Sequence, residues 1–419
     1  MRGHAYRLRW SGEAREGLRY RTAAPPGQAR GPAKGGGAGK APARPRSFLI
    51  GTQTVYEGGD YDQTSTATTG QSFLPWTLQA TGWLAELVFL VTGSFTSAGT
   101  PTLTADAPWI LFSNVELDDV NNEAIFGPFD GYTWYLANKF GGYINYDDPG
   151  TNATYSVALS TASTLQFLLR IPLEIVNRDP IGPVASVNNT AALTVKITLN
   201  SYANVFATNV PTSGSVRIRG VQRFYWEPKK TDKQGREIAG KPPASGTTQY
   251  WTQGSVPISA AGTINQQLIT GLGYPWREYL FLYRDNTGAR SGGETNWPDP
   301  VIGIKFEANF IVSQLNKAVW QDIMAREYDY PAATMDVRGA GSIAGKENGV
   351  YSLNWNKDFF KRAIGGETRR SYLVTSPGSN FIFNGAMGVA GNLYTIVNYV
   401  APGGGQANRQ DTAALTGGQ

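Results

Sequence analysis

The sequence contains no cysteine and a single histidine, His4. Without thiols there is neither a disulfide framework nor a thiolate metal site. The only imidazole lies in a basic N-terminal stretch, which removes histidine-based catalysis and most zinc chemistry from the rest of the chain. Charged residues make up only 16%. No apolar run reaches the roughly 18 residues of a membrane-crossing helix, so any membrane contact is expected to be peripheral. Sustained helical periodicity is scarce too. What the 419 residues do hold is glycine (50), proline (24) and 12% aromatics. Aromatic and β-branched residues suit a pleated, half-buried surface, while glycine and proline punctuate it, so the composition predicts many strands and turns.

From Phe48 onward the chain reads as strands. Leu193 to Asn200 alternates apolar and polar residues without a break, as does Ser215 to Val221, the pattern of a strand with one face on a core. Leu165–Arg170 and Ile171–Val176 read as a pair of short strands, and Tyr372–Thr375, Asn380–Phe383 and Asn392–Val400 supply more near the end. Two segments carry helical patterns, Gly131–Phe140 and Ser313–Glu327. Lys229 to Pro243 is polar, charged and ends in proline, which marks a boundary.

One unit is written twice. Glu86-Leu87-Val88-Phe89-Leu90, followed by Pro108-Trp109-Ile110, recurs 192 residues later as Glu278-Tyr279-Leu280-Phe281-Leu282 and Pro300-Val301-Ile302. With two further residues of shift, Ile110, Phe112, Asn122, Ala124 and Ile125 match Ile304, Phe306, Asn316, Ala318 and Val319. Each copy runs strand, polar loop, strands, helical segment, strands, so the pattern predicts a duplicated all-β domain. The expected divisions are an arm at 1–47, β-domains at 48–228 and 247–402, a linker at 229–246 and a flexible tail at 403–419.

Charge is uneven. Residues 1–47 hold eleven Arg and Lys against Glu13 and Glu16, a balance of +9, while the whole chain is +5, so the remainder is −4. Ala23 to Pro45 is almost all Ala, Pro, Gly, Arg and Lys, too poor in apolar surface to order itself, and reads as a flexible tether. Before it, Tyr6, Trp10, Ala14 and Leu18 recur every fourth residue among arginines. Arg2, Arg7, Arg9, Trp10, Arg15, Arg19 and Arg21 are therefore the candidate contacts to an anionic membrane or to nucleic acid phosphates. A solvated tail, a mistranslated extension and a transit peptide are the bland alternatives.

The remaining chemical patterns are weak. Asp118-Asp119 and Asp147-Asp148 lie near Asn, Gly or Pro, where Asp caps turns, and nothing places them in one pocket. The glycine runs at 35–37 and 403–405 are not phosphate loops, since no Gly-Lys-Ser/Thr follows and no strand-to-helix context surrounds them. The Asn-X-Thr patterns at Asn152 and Asn188 matter only in a secretory context. The clusters Trp134-Tyr135, Phe224-Tyr225-Trp226, Tyr250-Trp251 and Tyr274-Pro275-Trp276 read as core and inter-subunit packing, or else as a sugar-stacking platform. No catalytic residue, cofactor or metal ligand is expected.

Tandem β-sandwiches with one helical segment each, together with the stretch from Leu169 to Thr190, bring a resemblance into view. In that stretch a strand carrying Pro172 leads to Asp179-Pro180-Ile181-Gly182, then Asn188-Asn189, then the strand at Leu193. It resembles the late part of the first jelly roll in the double jelly-roll major capsid proteins of tailless, membrane-containing icosahedral phages, the tectivirus-like group. The resemblance covers 48 to about 402, and the long Ala/Pro/Gly/Arg arm departs from it. It implies two tandem eight-stranded jelly rolls, a homotrimer of six rolls forming a pseudo-hexagonal tile, and an icosahedral shell that also takes minor capsid and vertex proteins. It further implies an arm directed toward an internal lipid membrane or packaged DNA, a place in the virion with host cytoplasm before assembly, and no enzymatic reaction. The competing expectation is a carbohydrate-binding or carbohydrate-active tandem sandwich.

Overall fold

The computed structural model describes residues 48–141, 143, 154–175, 181–186, 192–228, 231, 235, 247–268, 273–290, 302–315, 319–320, 322–324, 349–355 and 372–402. All of them belong to one compact unit. The basic arm, with Arg2, Arg7, Arg9, Trp10, Arg15, Arg19 and Arg21, lies outside the described residues, as do the 403–419 tail and nearly all of the 229–246 linker.

The first half opens with α1 (Phe48–Gly51) and continues through β1 (Thr54–Ser65), β2 (Gln71–Ser72), β3 (Trp76–Thr77), β4 (Trp83–Thr96) and β5 (Thr102–Leu103). A 3-10 turn (Trp109–Leu111) leads into β6 (Phe112–Asp118), β7 (Ala124–Phe129) and α2 (Gly131–Phe140). Then come β8 (Ser156–Ala158), β9 (Ala162–Pro172), β10 (Val184–Ala185), β11 (Thr194–Leu199), α3 (Tyr202–Val205), β12 (Phe206–Thr208) and β13 (Ser213–Tyr225). One sheet runs β1-β13-β4-β9-β8; in the other, β2 and β3 both pair with one edge of β11, whose other edge pairs with β6, followed by β7. With strands lettered B to I along the chain, these are B-I-D-G over C-H-E-F, the order of an eight-stranded jelly roll.

The second half repeats that order. It comprises β14 (Thr247–Ile258), β15 (Gly262–Gln267), β16 (Trp276–Asp285), β17 (Ile302–Phe306), β18 (Asn309–Leu315), β19 (Val350–Asn354), β20 (Phe381–Met387) and β21 (Gly391–Pro402). Strands β14-β21-β16-β19 form B-I-D-G, and β15-β20-β17-β18 form C-H-E-F. The Glu86 and Glu278 repeats therefore lie on equivalent D strands, β4 and β16. An irregularity confirms the alignment. Ala85 is skipped in the pairing of β4 with β13, between Glu86↔Arg223 and Leu84↔Phe224. Arg277 is skipped in the same place between β16 and β21, between Glu278↔Asn398 and Trp276↔Tyr399. The freed carbonyls have equivalent partners as well: Ala85 accepts from the Leu173 N–H at 3.0 Å, just past β9, and Arg277 from the Trp355 N–H at 3.1 Å, just past β19. A bulge shared at one offset is a built feature of the unit, since bulges are positional rather than accidental.

The later part of the repeat is corrected. Ala124 and Ile125 open strand F of the first roll, whereas Val319 is helical and strand F of the second roll is β18. Asn316 and Ala318 lie outside the described residues. Loops of different length separate D, E and F in the two rolls, so one offset cannot hold past strand D. Three further expectations change. Leu165–Arg170 and Ile171–Pro172 are one strand, β9, because Pro172 is its last residue, where a missing N–H does no harm. Ser313–Leu315 is strand, paired to β17, and among the described residues of the expected helix 319–320 and 322–324 are helical. Tyr372–Thr375 forms no strand; Leu373 makes a single bridge to Trp276.

Burial follows the pleat. In β4, Leu87, Phe89 and Val91 are buried, while Val88 and Leu90 are half-buried on the other face. In β16 everything from Trp276 to Tyr283 is buried, as expected of a strand covered on both faces. One apolar core, including Trp109, Trp134, Trp276, Tyr279 and Tyr351, is continuous through both rolls. Each fully buried Leu or Phe of this core, such as Leu87 and Phe89, contributes roughly 1.5–3 kcal/mol.

Candidate assembly surface

The two rolls are joined edge to edge. Strand β14 runs parallel to β7, with Trp251 opposite Phe126, so that B-I-D-G of the second roll and C-H-E-F of the first make one nine-stranded sheet. Both rings are buried, Trp251 at 3% exposure and Phe126 at 0%. Behind this seam lies α2, with all ten residues buried. Asp130 caps it by accepting from the Thr133 N–H at 2.6 Å.

Three arginines of the second roll close over that helix. Arg277, fully buried, donates to the Gly141 carbonyl at 2.8 Å and to Asn398 Oδ1 at 3.2 Å. Arg284 pairs with Asp106 and lies 4.0 Å from Asp130. Arg290 donates to Asp106 Oδ1 at 2.6 Å and to the Ala105 carbonyl at 3.0 Å. The Arg284 and Arg290 guanidiniums sit 5.7 and 4.9 Å from the centre of the Tyr132 ring, close enough for cation–π attraction. Burial opposes the charge on Arg284, and Asp106 and Asp130 more than offset it. These residues were missed in the sequence. For Arg277 the available signal was the charged pair Arg277-Glu278 inside the aromatic- and leucine-rich run Trp276 to Tyr283, a place charged residues take only when their polar groups are satisfied.

A second ionic cluster ties strands D, G and I of the first roll. Glu86 accepts from Arg170 at 2.9 Å and from Arg223 at 3.0 Å, and Arg223 reaches Glu174 at 2.7 Å. Tyr225 donates to the same Glu174 at 2.5 Å. Burial pushes the Glu174 carboxyl up and the Arg223 charge opposes it. Every group here is engaged by a neighbour, which is the pattern of a structural pin. Asp119 caps its turn, accepting from the N–H groups of Asn121 at 2.7 Å and Glu123 at 3.0 Å. Asp118 pairs with Lys196 and sits beside Glu116. Asp147 and Asp148 lie outside the described residues, as do Asn152 and Asn188. No group of three or more metal-ligating side chains is found among the described residues.

The aromatic clusters are mainly core. Trp134, Tyr135, Phe224, Tyr225, Trp251 and Trp276 are buried. Tyr250, Tyr399 and Tyr274 form a ladder, with ring centres 5.4 and 5.6 Å apart and nearly parallel planes. Burial pushes the Tyr399 hydroxyl up to about 12. The Tyr399 ring, stacked against both neighbours, is committed to the ladder.

Large apolar side chains reach the surface in two places that matter. At the start of β1, Tyr56 is 68% exposed, with Trp226 at 53% and Leu49 close along the chain ends that meet there. On the second roll, Phe310 and Ile311 of β18 are 49% and 38% exposed, beside Val319 and Ile323 of the short helix. Ile311, Ile323, Trp320 and Leu353 line a groove of about 370 Å³. Strands β1 and β18 are sheet edges among the described residues.

Two complete jelly rolls fused through strand F of one and strand B of the other define a double jelly roll. No protein-family model matches the sequence, and no curated protein matches it either. Solved structures do. A chain of the Sulfolobus turreted icosahedral virus is similar over 87% of this chain and 96% of its own, with a TM-score of 0.55 and 14% identity. A chain of the PBCV-1 virus capsid matches over 83% and 94%, with a TM-score of 0.54 and 12% identity. The major capsid protein P2 of bacteriophage PM2 matches over 85% and 99%, with a TM-score of 0.50 and 10% identity. This chain has the double jelly-roll fold of those capsid proteins.

Proposed function

We propose that this chain is the major capsid subunit of an icosahedral virus and that its work is self-assembly. One observation carries the reading: the fold is similar to that of viral capsid proteins over 94–99% of their length and 83–87% of this chain. The ionisable groups of the folded body support a structural role, since Glu86, Glu174, Arg223, Asp106, Arg284 and Arg290 are all committed to pairs that fasten strands. In this reading rolls at 48–228 and 247–402, joined by 229–246, pack as a homotrimer of six rolls. Trimers then close a shell through many weak contacts that add up by multivalency, and minor capsid and vertex proteins complete it. The protein resides in the virion shell, after a period in the host cytoplasm.

The arm extends the proposal. With +9 in 47 residues against a −4 body, Arg2, Arg7, Arg9, Trp10, Arg15, Arg19 and Arg21 would attach the inner side of the shell to membrane lipid or packaged DNA. Each arginine near an anionic surface contributes on the order of 1 kcal/mol, screened by salt. Co-sedimentation with anionic vesicles and with DNA, using the full chain and a chain lacking residues 1–47, tests this. Binding by the full chain alone, lost at high salt, is expected. Equal binding by both chains would return that contact to the body.

A further inference from the structure

Inside the chain, strand F of the first roll is covered by strand B of the second. Strand F of the second roll, β18, and strand B of the first, β1, have no such cover among the described residues. We propose that neighbouring subunits meet edge to edge, β18 of one copy running parallel to the start of β1 of the next, as β7 meets β14 within the chain. The inference rests on the self-assembly reading and names the surfaces that carry it.

The register supports it. The shared D-strand bulge aligns Glu86 with Glu278, and hence their strand-I partners Arg223 and Asn398. Opposite Arg223 on strand B stands Tyr56, and opposite Asn398 stands Trp251. Tyr56 is thus the counterpart of the aromatic at the internal seam, yet Trp251 is 3% exposed and Tyr56 is 68% exposed. The same contrast holds across the seam. Phe126 on β7 is fully buried, whereas β18 leaves Phe310 and Ile311 open. Helix α2 is buried along its whole length, whereas its counterpart exposes Val319 and Ile323. The Trp251 ring lies against the end of α2, 3.3 Å from where a Cβ on Gly141 would stand. An equivalent placement brings Tyr56 and Trp226 of the next copy to the groove beside Ile311 and Ile323.

Edge chemistry agrees. Natural edges are guarded by charge, proline or bulges, and β18 (Asn-Phe-Ile-Val-Ser-Gln-Leu) has no charge and no proline. Strand β1 is guarded only beyond Tyr56, by Glu57, Asp60, Asp62 and the irregularity between Gly58 and Tyr61. Its open stretch is therefore Thr54 to Tyr56, a short contact like the single Trp251↔Phe126 pair inside the chain. A contact that uses two different edges is head to tail, and such contacts propagate until rotation closes a ring.

The absence of cysteine allows a test without background. Paired strands lie about 4.8 Å apart, within disulfide range. A chain carrying both Tyr56→Cys and Phe310→Cys should, under mild oxidation, give covalent multimers on a non-reducing gel. Each single variant should stay monomeric there, and an equimolar mixture of the two singles should give a dimer. Val55→Cys with Asn309→Cys, one residue back on each strand and so in the same parallel register, repeats the test should the first pair fold poorly. Multimers in native mass spectrometry with no cross-link in either double variant overturn the edge assignment and leave self-assembly standing. Single variants that cross-link to themselves also overturn it, because they show a like-to-like contact. A monomer at every concentration removes the self-assembly reading itself.

Discussion

Arg277 occupies a bulge where its counterpart is Ala85, and the difference records what each D strand faces. Ala85 lies under α1 in a small cluster with Phe48, Trp83 and Tyr225, while Arg277 reaches across the seam to Gly141. Arg277→Met keeps most of the volume but leaves the Gly141 carbonyl and Asn398 without this donor. Such losses cost about 1–3 kcal/mol per buried group. Urea denaturation should show a midpoint lowered accordingly, and an unchanged midpoint would mean that the guanidinium contributes nothing net. Glu116 offers a different test. Burial, and then the hydrogen bond and charge of Asp118, raise its carboxyl above the ordinary 4.5, against Lys196. A carboxyl raised on folding binds more protons folded than unfolded, so its stability contribution is complete below about 4.5 and is lost as pH rises through the raised value. Glu116→Gln should abolish that decline and be the more stable protein at neutral pH, as read from denaturation midpoints between pH 4 and 7. A wild-type slope that the variant retains would assign it elsewhere.

Helix α2 spans Gly131–Phe140, as its sequence predicts. Tyr132, Trp134, Tyr135, Leu136 and Phe140 surround the axis, and a helix that is apolar all round is a buried one. Its cap is equally legible, an Asp immediately before the first turn. Asp130→Ala should cost about 1 kcal/mol through the lost Thr133 N–H bond, seen as a lower thermal midpoint. A loss of several kcal/mol would show that the nearby Arg284 depends on this carboxylate as well. The counterpart helix was placed too early, because Phe310-Ile311-Val312-Ser313-Gln314-Leu315 fits a helical face and a strand equally well. Pairing with β17, which no local pattern encodes, decides it. Strands with one polar face, such as β11 with Val195, Ile197 and Leu199 inward, were plain from alternation alone. The seam was not, since its register rests on one residue pair, Trp251 with Phe126, brought together from sequence positions far apart.

At the scale of the whole molecule, duplication explains both the architecture and its unfinished edges. The Glu86 and Glu278 repeat lies on equivalent D strands, and the shared bulge carries that equivalence down to single carbonyls. A unit that joins its own copy through strand F and strand B leaves one F and one B without such a partner among the described residues. That is the condition for joining further copies, and a closed ring of such units suits a shell. Electron microscopy of the purified full-length protein tests this most directly. The account predicts tiles built from three copies of the 45.3 kDa chain, six rolls around a central axis, which close into icosahedral particles. Isolated single chains at every concentration, with no tile or shell, would contradict it.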